Sequence, residues 1–163
     1  MGVTGRLGVL EQPGEAERKA ATDALESLGI GRLADRGAMK ISGGERQLML
    51  IARAMVQNAK LLLMDEPTAN LDYGNSFRVM EKIESLRSRG YTVFFSTHEP
   101  NHAFRYATRV ITLKDGRILS DGVPSDTLTQ GILRTLYGVN VEISFLTIGG
   151  RTYPVCLPTG DHD

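Results

Sequence analysis

The chain has 163 residues with 19 basic and 19 acidic side chains, one domain's worth of polypeptide whose zero net charge lacks the electropositive footprint of a nucleic-acid or anionic-membrane binder. Its one cysteine, Cys156, leaves neither a disulfide framework nor a cysteine metal site, and a reducing cytoplasm is the expected setting. Apolar runs such as Leu61 to Met64 and Val93 to Phe95 are far too short to cross a bilayer, and Met1-Gly2-Val3 does not open a signal peptide.

The start is irregular and glycine-bearing (Gly2, Gly5, Gly8), and Pro13-Gly14 marks a turn. Glu15 to Leu28 then reads as an amphipathic helix with Ala21, Leu25 and Leu28 on one stripe, stopped by Gly29. Gly44 to Asn58 is a second helix, with Leu48, Ile51, Ala52, Met55 and Val56 recurring at helical spacing. Leu61-Leu62-Leu63-Met64, ended by two acids and Pro67, has the pattern of a parallel strand buried on both faces. A helix from about Asn75 to Arg89 and a strand from Tyr91 to Ser96 complete a strand-helix-strand crossover. Val110 to Leu113 and Arg117 to Leu119 flank Lys114-Asp115-Gly116 as a tight β-hairpin. Ser125 to Tyr137 is expected as one helix and Val139 to Val155 as two short strands. The first forty residues are therefore mainly helical, the remainder is α/β, and a boundary near Lys40 is expected.

Three segments carry chemistry. Ile41-Ser42-Gly43-Gly44-Glu45-Arg46-Gln47 sits where a loop becomes a helix, so its glycines, the Ser42 hydroxyl and the free first-turn N–H groups form an anion-binding corner suited to phosphate. The Ser-x-x-Glu spacing fits a capping box closed by Glu45 equally well. Asp65 and Glu66 end an apolar strand at the carboxyl edge of a sheet, where open α/β folds place ligands. Asp65 is suited to holding Mg²⁺ through water and Glu66 to orienting an attacking water, though strand-ending acids are also commonly just solvated. His98, directly after the second strand, is suited to reaching a phosphate oxygen with a ring N–H, or to a plain capping role. His102, at a helix start, and His162, in the tail, have no expected catalytic part.

In this order and spacing, Ser42-Gly43-Gly44-Glu45-Arg46-Gln47, Asp65-Glu66-Pro67, Asn70-Leu71-Asp72 and Ser96-Thr97-His98 closely resemble the ATP-binding subunits of ABC transporters. The resemblance implies a partial P-loop NTPase core of the α/β class with parallel strands and a mainly helical N-terminal subdomain. It implies that Ser42, Gly43, Gly44 and Glu45 form the signature motif, that Asp65 serves Mg²⁺, that Glu66 is the catalytic base, that Asp72 belongs to the D-loop and that His98 senses the terminal phosphate of ATP. Ile41 stands where leucine is more usual and Glu45 where glutamine is common. The segments Pro100 to Ala103, Leu113 to Ile118, Asp121-Gly122 and Leu136 to Val139 further resemble importer subunits for iron-siderophore complexes, haem or cobalamin.

The implied organisation is a helical subdomain portion over 1–40, a signature, Walker B, D-loop and switch-histidine portion over 41–141, and C-terminal strands and tail over 142–163. The implied partners are a second ABC ATPase subunit, in a homodimer of the intact protein, and a membrane permease. No nucleic acid is expected, and the place of action is peripheral, on the cytoplasmic face of the cell membrane. The five lysines, Lys19, Lys40, Lys60, Lys82 and Lys114, none of which follows a glycine, leave no Gly-x-x-x-x-Gly-Lys-Ser/Thr loop in these 163 residues. Gln12 lies too close to the signature to be the family's glutamine-loop residue. The chain is thus expected to enter just after that loop, to keep a signature half-site and to be inactive in isolation. Two other readings compete: a non-catalytic truncated ABC module that binds or regulates a complete ATPase, and a chromosome-maintenance or DNA-repair ATPase. The second would need a long coiled coil before the signature, and the helix at Glu15 to Leu28 is far too short for one.

Overall fold

The structure, a computed structural model, describes residues 13–37, 40–57 and 59–160. Gln12 and His162, with the start of the expected helical subdomain, lie outside the described residues. Two compact units divide the chain, Met1–Ser96 and Thr97–Asp163. The helical segment expected to end near Lys40 and the strand-helix-strand segment after it thus share one unit.

In the first unit, α1 (Glu15–Ser27) packs against α2 (Gly43–Val56), and α2 against α3 (Tyr73–Ser88). The buried positions of α1 are Ala24 and, just past its end, Leu28; Leu25 is half-buried and Ala21 is exposed, so the apolar stripe sits one turn later than the periodicity suggests. After the helix, Ile30 N–H donates to Leu25 C=O at 2.9 Å and Gly29 N–H to Glu26 C=O at 2.8 Å. This Schellman pair requires the left-handed backbone that Gly29 adopts at φ 76°. From α2, Leu48, Ile51 and Ala52 are buried, and α3 contributes Val79, Met80, Ile83 and Leu86, none more than 3% exposed. The core of this unit is therefore helical, and α3 is its most buried element.

Strands β1 (Leu61–Met64) and β2 (Thr92–Phe95) pair in parallel around α3, with Leu61 opposite Thr92 and Met64 opposite Phe95. The ladder continues past β2 through Ser96 N–H to Met64 C=O at 2.9 Å. The expectation of burial on both faces is corrected here. Leu62 is 3% exposed, whereas Leu61, Leu63 and Phe94 are 51%, 73% and 55% exposed. The period of two puts Leu61, Leu63 and Phe94 on one face, and the two-stranded sheet buries only the other.

The second unit holds α4 (Pro100–Tyr106), β3 (Val110–Lys114), β4 (Arg117–Gly122), α5 (Pro124–Thr127), α6 (Gln130–Tyr137), β5 (Val141–Ile148) and β6 (Arg151–Pro158). β3 and β4 form the expected hairpin, its turn made by Asp115 and Gly116 at φ 50° and 72°. The single helix expected over Ser125 to Tyr137 is two helices. Leu128 leaves the helical region at ψ 60° and is buried in the core, and Thr129 caps the next helix by accepting the Ile132 N–H. The two expected short strands are an antiparallel hairpin of eight residues each, turned at Gly149-Gly150. Ala103, Leu128, Leu133 and Cys156 form the core of this unit. The Asn101 side chain ties α4 to β6 by accepting the Cys156 N–H at 2.8 Å and donating to its C=O at 3.1 Å.

Candidate functional site

Ser42 is the N-cap of α2. Its hydroxyl oxygen accepts the Glu45 N–H at 3.2 Å while a Glu45 carboxylate oxygen accepts the Ser42 N–H at 2.8 Å, a complete capping box. An anion corner persists beside it, because the first-turn N–H groups of Gly43 and Gly44 have no intrahelical acceptor. A carboxylate at such a corner would oppose an incoming anion, and Arg32 offsets it with a 2.5 Å ion pair to Glu45. The Ser42 N–H, and then Arg32, hold the Glu45 carboxyl down at about 2 from an ordinary 4.5.

That depression has a sign. The charged box contributes stability that is present above the unfolded pKa near 4.5 and is lost as pH falls from there toward about 2. Denaturant midpoints of the wild type and Glu45→Gln are therefore expected to differ at neutral pH and to converge between about pH 4.5 and 2. Parallel curves over that range would show that the charge of Glu45 contributes nothing to the cap.

The two glycines of the corner serve packing as well as access. A Cβ on buried Gly44 would lie 3.0 to 3.1 Å from Oδ1, Cβ and Cγ of Asn75, and one on Gly43 3.1 Å from Cδ2 of Leu71. Asn75 belongs to the first turn of α3, whose N-cap is Asp72. Asp72 accepts the Asn75 N–H at 2.8 Å and the Asn75 side-chain amide at 2.6 Å, and Arg78 donates to Asn75 Oδ1 at 3.3 Å. These bonds, the Asn75 N–H first, hold the Asp72 carboxyl below its ordinary pKa. Asn75 thus joins the Ser42-Gly43-Gly44 corner to the Asp72 loop. No motif pointed to Asn75, which stands three residues after Asp72.

At the carboxyl end of β1, the Ser96 hydroxyl donates to Asp65 Oδ1 at 2.5 Å and accepts the Glu66 N–H at 2.9 Å. Glu66 has φ 41°, a left-handed conformation that costs a non-glycine residue about 1–2 kcal/mol. Its C=O accepts the Ala69 N–H at 2.9 Å, so the chain turns sharply away from the sheet between 66 and 69. Both carboxylates are exposed at that edge. His98, also exposed, belongs to the second unit, where Thr97 Oγ1 accepts the Glu99 N–H at 3.0 Å just before α4. The structure therefore brings together Ser42, Gly43, Gly44, Glu45, Asp65, Glu66 and Asp72 within one unit, and places His98 in the other.

Residues 2–69 match the sequence profile of the ABC transporter family. The ferric enterobactin transport ATP-binding protein FepC of Escherichia coli is 34% identical over 145 residues, which is 88% of this chain and 53% of FepC. The phosphonates import ATP-binding protein PhnC 1 of Cupriavidus metallidurans is 44% identical over 128 residues, 78% of this chain and 45% of that protein. A solved structure of an inward-facing transporter, described as of the metal-chelate type, superposes with a TM-score of 0.91 at 30% identity, covering 98% of this chain and 64% of that one. Residues 2–69 are thus part of an ABC transporter domain, and similarity to ABC ATP-binding proteins runs over most of the chain.

The chain spans about half the length of the curated relatives it matches. Those relatives are named for ferric enterobactin and for phosphonates alike, so the similarity does not single out the iron-siderophore group. No helix among the described residues is long and apolar enough to cross a membrane.

The described residues also contain no group of three or more His, Cys, Asp or Glu that could hold a metal ion. The donor set at the sheet edge is nevertheless of the kind Mg²⁺ takes. This ion keeps several waters and binds through one or two carboxylates together with substrate phosphates, and it does not need an all-protein cage. Asp65, with its carboxylate oriented by Ser96, fits that role.

Proposed function

We infer that this chain is the signature, Walker B and D-loop portion of an ATP-hydrolysing subunit that energises solute import through a membrane permease. The observation that carries the reading is the pairing of two features in one unit. Adjacent carboxylates stand at the carboxyl edge of a parallel strand pair, and the glycine corner with its free first-turn N–H groups at the start of α2 is packed onto the Asp72 loop through Asn75.

ATP with Mg²⁺ would supply the transferable phosphoryl group and the cation that spreads its charge. Asp65 would hold the cation through water. Glu66 would orient a water toward the terminal phosphorus and accept its proton. The ring N–H of His98 would donate to the terminal phosphate. Ser42, Gly43 and Gly44 present their O–H and N–H groups to a nucleotide held by a second subunit, and Asp72 sets the loop beneath them. The chain's place is then peripheral, on the cytoplasmic face of the membrane, bound to the permease.

For the solute we favour a metal chelate such as an iron-siderophore complex, haem or cobalamin, supported by the metal-chelate-type structure that covers 98% of this chain. Phosphonate import is the second reading, favoured by the 44% identity to PhnC 1.

The test has two arms. Calorimetry of the 163-residue chain with Mg²⁺-ATP is expected to give no tight binding, since no lysine in it follows a glycine. Tight binding would mean that the phosphate cradle lies within these residues. The full-length subunit is expected to hydrolyse ATP when assembled with its permease, and absence of turnover there would favour a non-catalytic module.

A further inference from the structure

The geometry points to Ser96 as a positioning residue of the ATPase site, one hydroxyl that sets both carboxylates by donating to Asp65 and accepting the Glu66 N–H. This deepens the functional reading above and rests on it.

Ser96 sits one residue beyond β2 and its N–H still bonds Met64 C=O at 2.9 Å, so its Cα is fixed by the ladder. From that anchored position its hydroxyl spans the end of the neighbouring strand. The O–H has one hydrogen to donate and lone pairs to accept with, and both capacities are used: Asp65 Oδ1 at 2.5 Å and Glu66 N–H at 2.9 Å. The first bond limits the rotation of the Asp65 carboxylate. The second gives the Glu66 N–H a partner at the point where the backbone turns to φ 41°. With the Glu66 C=O held by the Ala69 N–H at 2.9 Å, the left-handed residue is fixed on both sides, and the direction in which its side chain leaves the sheet edge is fixed with it.

A small residue without the hydroxyl would leave β2 and its ladder intact yet release both acids. Strand pairing does not need the Ser96 side chain. The hydroxyl's partners are the two residues to which the mechanism assigns cation and water.

The isosteric pair Ser96→Thr and Ser96→Val separates the hydroxyl from side-chain bulk, and exposed Ser96 has room for the added methyl. Amide hydrogen exchange followed by NMR on the 163-residue chain is the first readout. The Glu66 amide is expected to exchange at least about tenfold faster in Ser96→Val than in wild type, while Val79 and Leu86 in α3 are unchanged and Ser96→Thr restores protection. Equal Glu66 exchange in the Val and Thr variants would overturn the proposal. Hydrolysis by the full-length subunit is the second readout. Ser96→Val is expected to lower kcat about tenfold or more at unchanged KM for ATP, with Ser96→Thr close to wild type; a kcat loss shared equally by both variants would also overturn it. A wild-type subunit without turnover would defeat the functional reading alone, because the exchange result stands independently of activity.

Discussion

Glu66→Gln is expected to reduce steady-state ATP hydrolysis by the full-length subunit about 10²–10⁴-fold, the range that a general base contributes, while leaving nucleotide binding in place. The substitution is nearly isosteric and spares what holds the turn. The bonds made by Ser96 and Ala69 go to the N–H and C=O of Glu66, which the amide variant keeps. Because Glu66 is exposed, the change should also shift stability by no more than about 0.5 kcal/mol. A loss of turnover can then be assigned to the missing proton acceptor and not to a collapsed site. Steady-state hydrolysis and fluorescent-nucleotide binding measured on the same preparation decide it. Turnover at the wild-type rate would remove Glu66 from the role of base and leave Asp65 and His98 as the groups to test.

The parts of this fold that were legible in the sequence are those set by local rules. α1 and α2 announce themselves through apolar spacing and through a stop and a cap, Gly29 after α1 and Ser42 with Glu45 before α2, whereas the Asp72 cap that starts α3 two residues before the expected Asn75 was read only as a loop residue. The β3–β4 turn follows from Asp115-Gly116. What was not legible depends on contacts distant in sequence. Leu61 and Leu63 read as buried because a continuous apolar run cannot say how many of its faces have neighbours. The break at Leu128 and Thr129 arises because Leu128 enters a core built with Ala103, Leu133 and Cys156, and no helix-breaking residue marks it. At the candidate site, motif order named the proposed residues, but it did not point to those that orient them. Ser96 reaches across thirty-one positions to Asp65, and Asn75 reaches Gly44 from another helix.

The same distinction governs the largest stability effect expected. Gly44→Val is predicted to destabilise the fold by about 3 kcal/mol and Gly44→Ala by about 1 kcal/mol, values in the range for overpacking. Gly43→Ala should stay within about 0.5 kcal/mol. Both glycines have a neighbour near 3.1 Å from an added Cβ, so distance alone does not separate them. Mobility of the neighbour does. At Gly43 the close atom is a terminal methyl of half-buried Leu71, which can rotate away. At Gly44 the close atoms are Cβ, Cγ and Oδ1 of Asn75, and that side chain is held by Asp72 at 2.6 Å and by Arg78 at 3.3 Å. Moving it breaks bonds that also hold the Asp72 loop. Ala is the better helix former by about 1 kcal/mol, which is why the alanine penalty is modest and the valine penalty is not. Urea unfolding of the three variants tests the order, and a double-mutant cycle tests the cause. An Asn75→Ala background removes Oδ1 and Cγ but keeps Cβ 3.1 Å away, so the Gly44→Ala penalty there should fall without vanishing. If it is unchanged, the tethered amide of Asn75 is not what the new methyl meets, and Asn75 does not couple the phosphate corner to the Asp72 loop. If it falls, the second glycine of the motif is required by the packing of α2 on α3 even before any nucleotide binds.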